Sequence, residues 1–218
     1  MGMRVGLEPG GELSLAGDDE PALVARCRGD GPDHAPDHAA FRALYERHVD
    51  EVLRFLRRLL GAPDAVEDAA QETFVRLHRG LRGDFDPARA VRPYVLGIAR
   101  NVAIEAFRRR EKLALPALPR PDARSAGDAA LARERSALVQ DALSALSPEH
   151  RAVVVLRYTH ELSQDDVASA LGCTTRTVRN RLRAAAVLFE RELRRRGVLP
   201  GDERAPGPAP EFDGEVRS

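Results

Sequence analysis

The stretch Leu162–Arg183, LSQDDVASALGCTTRTVRNRLR, has a spacing that few backbones satisfy. Val167, Ala168 and Leu171 share one face of a helix, Gly172 stands where that helix must stop, and Val178 and Leu182 share one face of a second helix. Small Ala168 lets the two helices cross closely, and Gly172 permits the tight turn between them. Ser163 with Asp166 resembles a capping box at the first helix, and Thr174 or Thr175 caps the second. The pattern is that of a helix-turn-helix. It leaves Thr175, Arg176, Arg179, Asn180 and Arg183 outward along the start of the second helix, where side-chain donors meet base edges and phosphates. An ordinary helical hairpin with a solvated basic face is the competing reading; spacing, turn glycine and exposed donors together favour DNA contact.

Helical periodicity extends over the rest of the chain. Phe41, Leu44, Tyr45, His48, Val52, Phe55, Leu56 and Leu59 form one apolar stripe on a helix ending at Gly61. A helix capped by Asp64 turns Val66, Ala69, Ala70, Thr73, Phe74 and Leu77 inward and Asp68, Gln71, Glu72 and Arg76 outward. Gly80, Gly83 and Pro87 force a loop, and a further helix from near Pro93 carries Val95, Ile98, Val102 and Phe107 into the basic run Arg108–Lys112. A short helix over about Glu20–Arg28, ended by a Gly/Pro/His break, opens this block. Pro116, Pro119, Pro121 and Gly127 read as a linker that lets two domains move independently. Beyond it, Leu138, Val139, Ala142, Leu143 and Leu146 make one helix, and Ser147-Pro148-Glu149 starts the next. The Val153–Leu156 run could be a strand, but its capped start favours helix. Nothing alternates at period two, so the fold class is all-α: two small helical domains joined by a flexible linker. The expected boundaries are a disordered start over 1–17, domains over 18–112 and 131–196, a linker over 113–130 and a disordered tail over 197–218.

Composition excludes several classes. The chain has 218 residues, 43% hydrophobic and 31% charged, and no apolar run approaches the roughly 20 residues of a membrane helix. The N-terminus lacks the basic start and apolar stretch of a secretory signal, which places the protein in the cytoplasm. Cys27 and Cys173 show neither disulfide nor zinc spacing and read as small buried hydrophobes. His34 and His38 read as loop residues. A formal net charge of zero hides segregation: between Thr174 and Arg196 eight arginines face only Glu190 and Glu192, while Arg92, Arg100, Arg108, Arg109, Arg110 and Lys112 face only Glu105 and Glu111. There is no Gly-rich phosphate loop, nucleophile elbow or metal spacing, so no enzymatic activity, cofactor or metal is expected.

Five segments, LVARCRGD, FRALYERHVDEVLRFLRRLLG, DAVEDAAQETFVRLHRGL, FDPARAVRPYVLGIARNVAIEAFRRR and LSALSPEHRAVVVLRYTHELSQDDVASALGCTTRTVRNRL, resemble regions two and four of extracytoplasmic-function (ECF) sigma factors of the sigma-70 family. The likeness covers about residues 18–112 and 131–196. It implies a transcription initiation factor that binds core RNA polymerase and promoter DNA. In isolation Asp68, Gln71 and Glu72 are a solvated helix face; the resemblance makes them the surface docking on the clamp helices of the largest polymerase subunit. Asn101 alone is a polar helix-surface residue and Phe85 a core anchor under a loop. The resemblance puts both at the minus-ten element, where unstacked bases are captured. Arg100, Arg108, Arg109 and Arg110 would hold phosphates. Arg176, Arg179 and Arg183 would enter the major groove of the minus-thirty-five element, and the apolar surface of region four would seat the polymerase flap tip. An anti-sigma factor, often membrane-bound in this family, is implied as a further partner.

The chain departs from the family in having no Trp: His78 stands at one place where the family often carries it and Tyr94 at another. Two other readings stay open on sequence. A stand-alone helix-turn-helix regulator would bind palindromic duplex operators as a dimer, and a helical adaptor would not touch DNA at all. The two basic segments argue against the adaptor.

Overall fold

The computed structural model describes residues 19–29, 37–83, 85–87, 89–112 and 129–196. The first four helices are α1 (Glu20–Arg28), α2 (His38–Leu60), α3 (Pro63–Leu81) and α4 (Val91–Lys112). Asp37 organises the first junction. Its Oδ1 accepts from the Ala39 and Ala40 amides at 2.8 and 3.1 Å, capping α2, while its Oδ2 accepts from Arg26 Nε of α1 at 2.9 Å. The buried face of α2 comprises Ala40, Leu44, His48, Val52, Phe55, Leu56, Leu59 and Leu60. It packs on α1, α3 and α4, and each fully buried Leu or Phe here contributes about 1.5–3 kcal/mol relative to exposure. Tyr45, at the edge of the expected stripe, is 41% exposed.

Several expectations shift in detail. The N-cap of α3 is Ala62, with no side-chain cap bond, because Pro63 takes the N1 position that its fixed φ suits; Asp64 lies within the first turn. Gly80 belongs to α3, where the phenol of Tyr94 occupies the space a Cβ would need. His38 begins α2 and is not a loop residue, and His34 lies outside the described residues. The start, the linker over 113–128 and the tail from 197 also lie outside them.

The second group holds α5 (Ala129–Ser144), α6 (Pro148–Val154), α7 (Gln164–Leu171) and α8 (Thr175–Arg195). Ser147 caps α6 as expected. The Val153–Leu156 run is helical, and the α-helix passes into a π-helical turn over Val155–Thr159. Such turns displace one residue from the helical ladder. Here the turn leaves Tyr158 69% exposed and brings His160 into the interior at 4%. Among the described residues every regular element is a helix, which gives the all-α class.

The two groups are closed onto one another, chiefly through α4 and α7. The two groups, expected to move independently, are thus in contact here. Gly97 of α4 sits so near the Ala170 carbonyl that a Cβ there would collide with it. Arg89 Nη2 donates to Ser169 Oγ at 2.5 Å. Glu51 Oε1 of α2 lies 2.6 Å from Arg92 Nη2 and 3.0 Å from His160 Nδ1, and Arg92 Nη2 also donates to the His160 carbonyl at 2.6 Å. Burial pushes the Glu51 carboxyl up, but the hydrogen bonds from His160 and Arg92 outweigh it and hold the group at about 2, below its ordinary 4.5. A lowered pKa stabilises the fold above pH 4.5 and loses that contribution as pH falls towards 2. Glu51→Gln is therefore expected to cost on the order of 2 kcal/mol at pH 7. In urea titrations the gap to wild type should narrow between pH 5 and pH 3; a constant gap would remove Glu51 as its source.

Candidate nucleic-acid and polymerase interfaces

The helix-turn-helix is built as its spacing requires. Ser163 Oγ accepts from the Asp166 amide at 3.0 Å and donates to Asp166 Oδ2 at 2.7 Å. Gly172, at φ +60°, takes the left-handed conformation that ends α7. Thr174 Oγ1 accepts from the Thr177 amide at 3.2 Å, so Thr174 is the cap and Thr175 the first residue of α8. Val178 and Ala185 are buried, with Leu182, Leu188 and Phe189 half-buried against the core. Arg176, Arg179, Asn180 and Arg183 are exposed and Thr175 is half-buried.

Charge pairing divides α8 into two halves. Towards its end Arg194 pairs with Glu190, and Arg195 and Arg196 pair with Glu192. Arg196 reaches on to Asp141 of α5 at 2.7 Å. Arg176, Arg179 and Arg183 make no ion pair or hydrogen bond among the described residues. Their donors are left to solvent or to a ligand of opposite charge.

A second basic surface runs along α4. Asn101, Arg108 and Arg109 are exposed and Arg110 is half-buried. Arg100 is also half-buried, and its Nη1 donates to Asn101 Oδ1 at 2.9 Å. Burial lowers the pKa of Arg100; Glu149 opposes this, while Arg181 and Arg108 push the same way. The surroundings of this guanidinium thus include α6 and α8 of the second group. Phe85 is elsewhere: it is 4% exposed, its ring lies 4.7 Å from that of Tyr94, and its carbonyl accepts from Arg28 Nη1 at 2.7 Å. In this form Phe85 anchors the loop before α4.

The acidic face of α3 is half engaged. Asp68 and Gln71 are exposed, but Glu72 Oε1 accepts from Arg76 Nε at 2.7 Å. Arg76 also holds Glu105 of α4 with two parallel bonds at 2.8 and 2.7 Å. A groove of about 530 Å³ between α3 and α4 is lined in part by Asp68, Glu72, Arg76, Glu105 and Arg109. His78 and Tyr94, at the two Trp-less positions, each find an aromatic partner: His78 meets Phe41 edge-on at 4.8 Å, and Tyr94 meets Phe85.

Residues 44–113 match the family model of Sigma-70 region 2, and residues 136–187 match that of Sigma-70 region 4. The ECF RNA polymerase sigma factor SigL of Mycobacterium tuberculosis is 33% identical over 173 residues, 75% of this chain and 94% of that protein. The chain is an ECF sigma factor of the sigma-70 family. The RNA polymerase sigma-E factor of Streptomyces avermitilis is also 33% identical, over 158 residues, covering 72% of this chain and 87% of that one. Among solved structures, CnrH in complex with the cytosolic domain of CnrY superposes with a TM-score of 0.60 at 26% identity, over 82% of this chain and 99% of CnrH. The sigma factor RpoE of Bartonella quintana, solved with the anti-sigma factor NepR, shares the fold at 19% identity, with a TM-score of 0.56 over 71% of this chain and 96% of that one.

As a sigma factor, the protein directs promoter-dependent transcription initiation with RNA polymerase. The sequence reading missed two sets of residues in it. One is the Glu51–Arg92–His160 cluster, whose members lie up to 109 residues apart. The other is Arg151, 8% exposed, which donates to the carbonyls of Leu59, Leu143, Ser144 and Leu146. Backbone acceptors leave no mark in a sequence. Among the described residues no helix is long and apolar enough to cross a membrane, and no group of three or more His, Cys, Asp or Glu could hold a metal.

Proposed function

We propose that this sigma factor reads its promoter with two separate surfaces and docks on polymerase with a third. The first half of α8, through Thr175, Arg176, Arg179, Asn180 and Arg183, contacts the minus-thirty-five element. The exposed face of α4, through Asn101 with Arg100, Arg108, Arg109 and Arg110, takes an unstacked minus-ten base and its neighbouring phosphates. Asp68, Gln71 and Glu72 of α3 meet the clamp helices of the largest polymerase subunit, and the apolar side of region 4 meets the flap tip. The observation that carries the reading is the division of α8: arginines that stabilise the fold are paired with Glu190, Glu192 or Asp141, and those facing outward at the start are not. Phe85 enters only as the anchor of the loop before α4. The site of action is the cytoplasm, and the anti-sigma complexes of CnrH and RpoE support an anti-sigma partner here.

Run-off transcription with core polymerase tests the assignment of Asn101 and Asp68. Asn101→Ala should keep its affinity for core polymerase and lose initiation by about tenfold, the cost of one base contact. Asp68→Lys should weaken the polymerase complex while leaving helicity unchanged, since an exposed helix face tolerates substitution. Loss of polymerase binding in Asn101→Ala, or full polymerase affinity in Asp68→Lys, would sink the respective role. Tight binding of the free protein to a palindromic duplex would favour the dimeric regulator instead.

A further inference from the structure

Helix α1 carries none of the residues assigned to polymerase or promoter, yet both of its ends reach the connection that leads into α4. At its start Glu20 Oε2 accepts from the Val91 amide at 3.1 Å, across 71 residues of sequence. Val91 is the first residue of α4, whose opening amides have no partner within the helix, and Ala90 before it has no side-chain acceptor to offer. Glu20 is thus a cap for α4 supplied from another helix, with its charge at the positive end of the helix dipole. The other carboxylate oxygen, Oε1, lies 3.1 Å from Nε2 of His48, which is 4% exposed. That pairing accounts for a histidine in the otherwise apolar buried face of α2. The His48 ring and the Val91 amide outweigh burial and hold the Glu20 carboxyl below its ordinary 4.5.

At the other end of α1, Arg28 Nη1 donates to the Phe85 carbonyl at 2.7 Å. Phe85 is fixed on two further sides: its amide donates to the Gly80 carbonyl at 3.2 Å, and its ring packs 4.7 Å from that of Tyr94 in the first turn of α4. Glu20 and Arg28 stand about 12 Å apart along the helix, so α1 braces the connection between α3 and α4 at two points. The brace is itself held, with Leu23, Val24 and Cys27 buried and Arg26 paired with Asp37. Those contacts seat α1 on their own; Glu20 and Arg28 are directed instead at the connection and at the start of α4. A base contact needs its donor held within about 0.5 Å. Asn101 lies about 15 Å beyond Val91 along α4, so a tilt of about 4° at the start moves it by about 1 Å.

We infer that α1 is the frame of the minus-ten reading surface, and that Glu20 and Arg28 are its positioning residues: they act through the start of α4 and the seat of Phe85, against which Asn101 is aligned. This role rests on the assignment of Asn101 and the α4 arginines to the minus-ten element, whereas the two contacts stand independently of it. Each is a hydrogen bond with one charged member, the stronger kind. Loss of either leaves the core under α1 in place and loosens the geometry in which one base is distinguished from another.

Run-off transcription with core polymerase, on a cognate promoter and on versions changed at one minus-ten or one minus-thirty-five base, tests the frame. Glu20→Ala and Arg28→Met are expected to lower discrimination at minus ten by about 5- to 10-fold, with discrimination at minus thirty-five and affinity for core polymerase unchanged. A variant that is merely less stable loses active molecules and lowers transcription from every promoter alike, which leaves both ratios as in wild type. Glu20→Gln, whose amide oxygen still accepts from Val91, and Arg28→Lys, whose ammonium still donates to Phe85, should restore most of the discrimination. Arg28→Met keeps the apolar stem of the side chain, so it reads the frame even where Glu20→Ala fails to fold. Asn101→Ala serves as the reference. Discrimination lost in Asn101→Ala but kept at the wild-type ratio in the α1 variants overturns the frame, as does a loss in those variants that is equal at both promoter elements. Wild-type discrimination in Asn101→Ala as well overturns the minus-ten reading beneath it.

Discussion

Arg151→Ala is expected to lower the stability of the protein by about 3–5 kcal/mol, a large share of what a domain of this size has. The Arg151 guanidinium is buried at the end of α5, where the last carbonyls of a helix have no partner within it. Its Nε donates to Leu143 at 2.8 Å, and Nη2 donates to Ser144 and Leu146 at 2.7 and 3.2 Å. Nη1 reaches across to the Leu59 carbonyl of α2 at 2.7 Å, and the cation lies 5.7 Å from the Phe107 ring centre. Burial lowers the pKa of this arginine, so the charge is held at a desolvation cost that the four acceptors offset.

Truncation leaves those acceptors buried, at about 1–3 kcal/mol for each that water does not reach. Arg151→Met should therefore fail to rescue, although an apolar replacement often repairs a buried ion pair, because here the partners are backbone and remain. Arg151→Lys should recover part of the loss, since an ammonium supplies three donors without the planar fork. Urea denaturation followed by circular dichroism measures the series. A change below about 1 kcal/mol for Arg151→Ala would show that the carbonyls are satisfied without it.

Arg151 also shows where sequence reading stops. In Ser147-Pro148-Glu149 the cap and N1 residues declare themselves, and the α6 start lies where they place it. Three residues later an arginine looks like one more exposed charge, because burial of a cation depends on acceptors that come from main chain. Separation along the chain hid the Glu51–Arg92–His160 cluster. Each member sits on a separate helix or turn: packing of α4 on α2 brings Arg92 to Glu51, and packing of region 4 on region 2 adds His160.

Local chemistry was legible wherever periodicity and punctuation agreed. The inward set Val66, Ala69, Ala70, Thr73, Phe74 and Leu77 is buried as expected, and Gly172 ends α7 in the left-handed conformation. The α3 cap was misplaced by two residues because Asp64 is a good cap in general, whereas Pro63 has a stronger preference for the first helical turn. Gly97 did carry a signal that was passed over: an isolated glycine within a helical pattern costs about 1 kcal/mol and usually has a packing reason. Its reason lies in the other domain.

Arg179→Ala is expected to reduce run-off transcription from a cognate promoter by about 10- to 100-fold, equivalent to roughly 1–3 kcal/mol for one good base contact. Arg179 is exposed on the first half of α8, one turn beyond Thr175, and is held by no carboxylate among the described residues. Its loss should leave the fold intact, since Val178 and Ala185, not the outward residues, anchor the helix. Arg194→Ala provides the contrast: it breaks an ion pair with Glu190 within α8, worth about 0.3–0.5 kcal/mol, and should hardly affect transcription. Salt separates the two ways in which an outward arginine can act. A phosphate contact contributes about one unit to the slope of log affinity against log salt and weakens all promoters alike. A base contact relaxes the preference at one position of the minus-thirty-five element and leaves the other positions as they were. Competition among promoter variants for the polymerase complex therefore decides which role Arg179 holds, and the same comparison applied to Arg176 and Arg183 divides the face into contacts that read sequence and contacts that set register. Equal transcription by Arg179→Ala and wild type across such a set would remove α8 from the promoter interface.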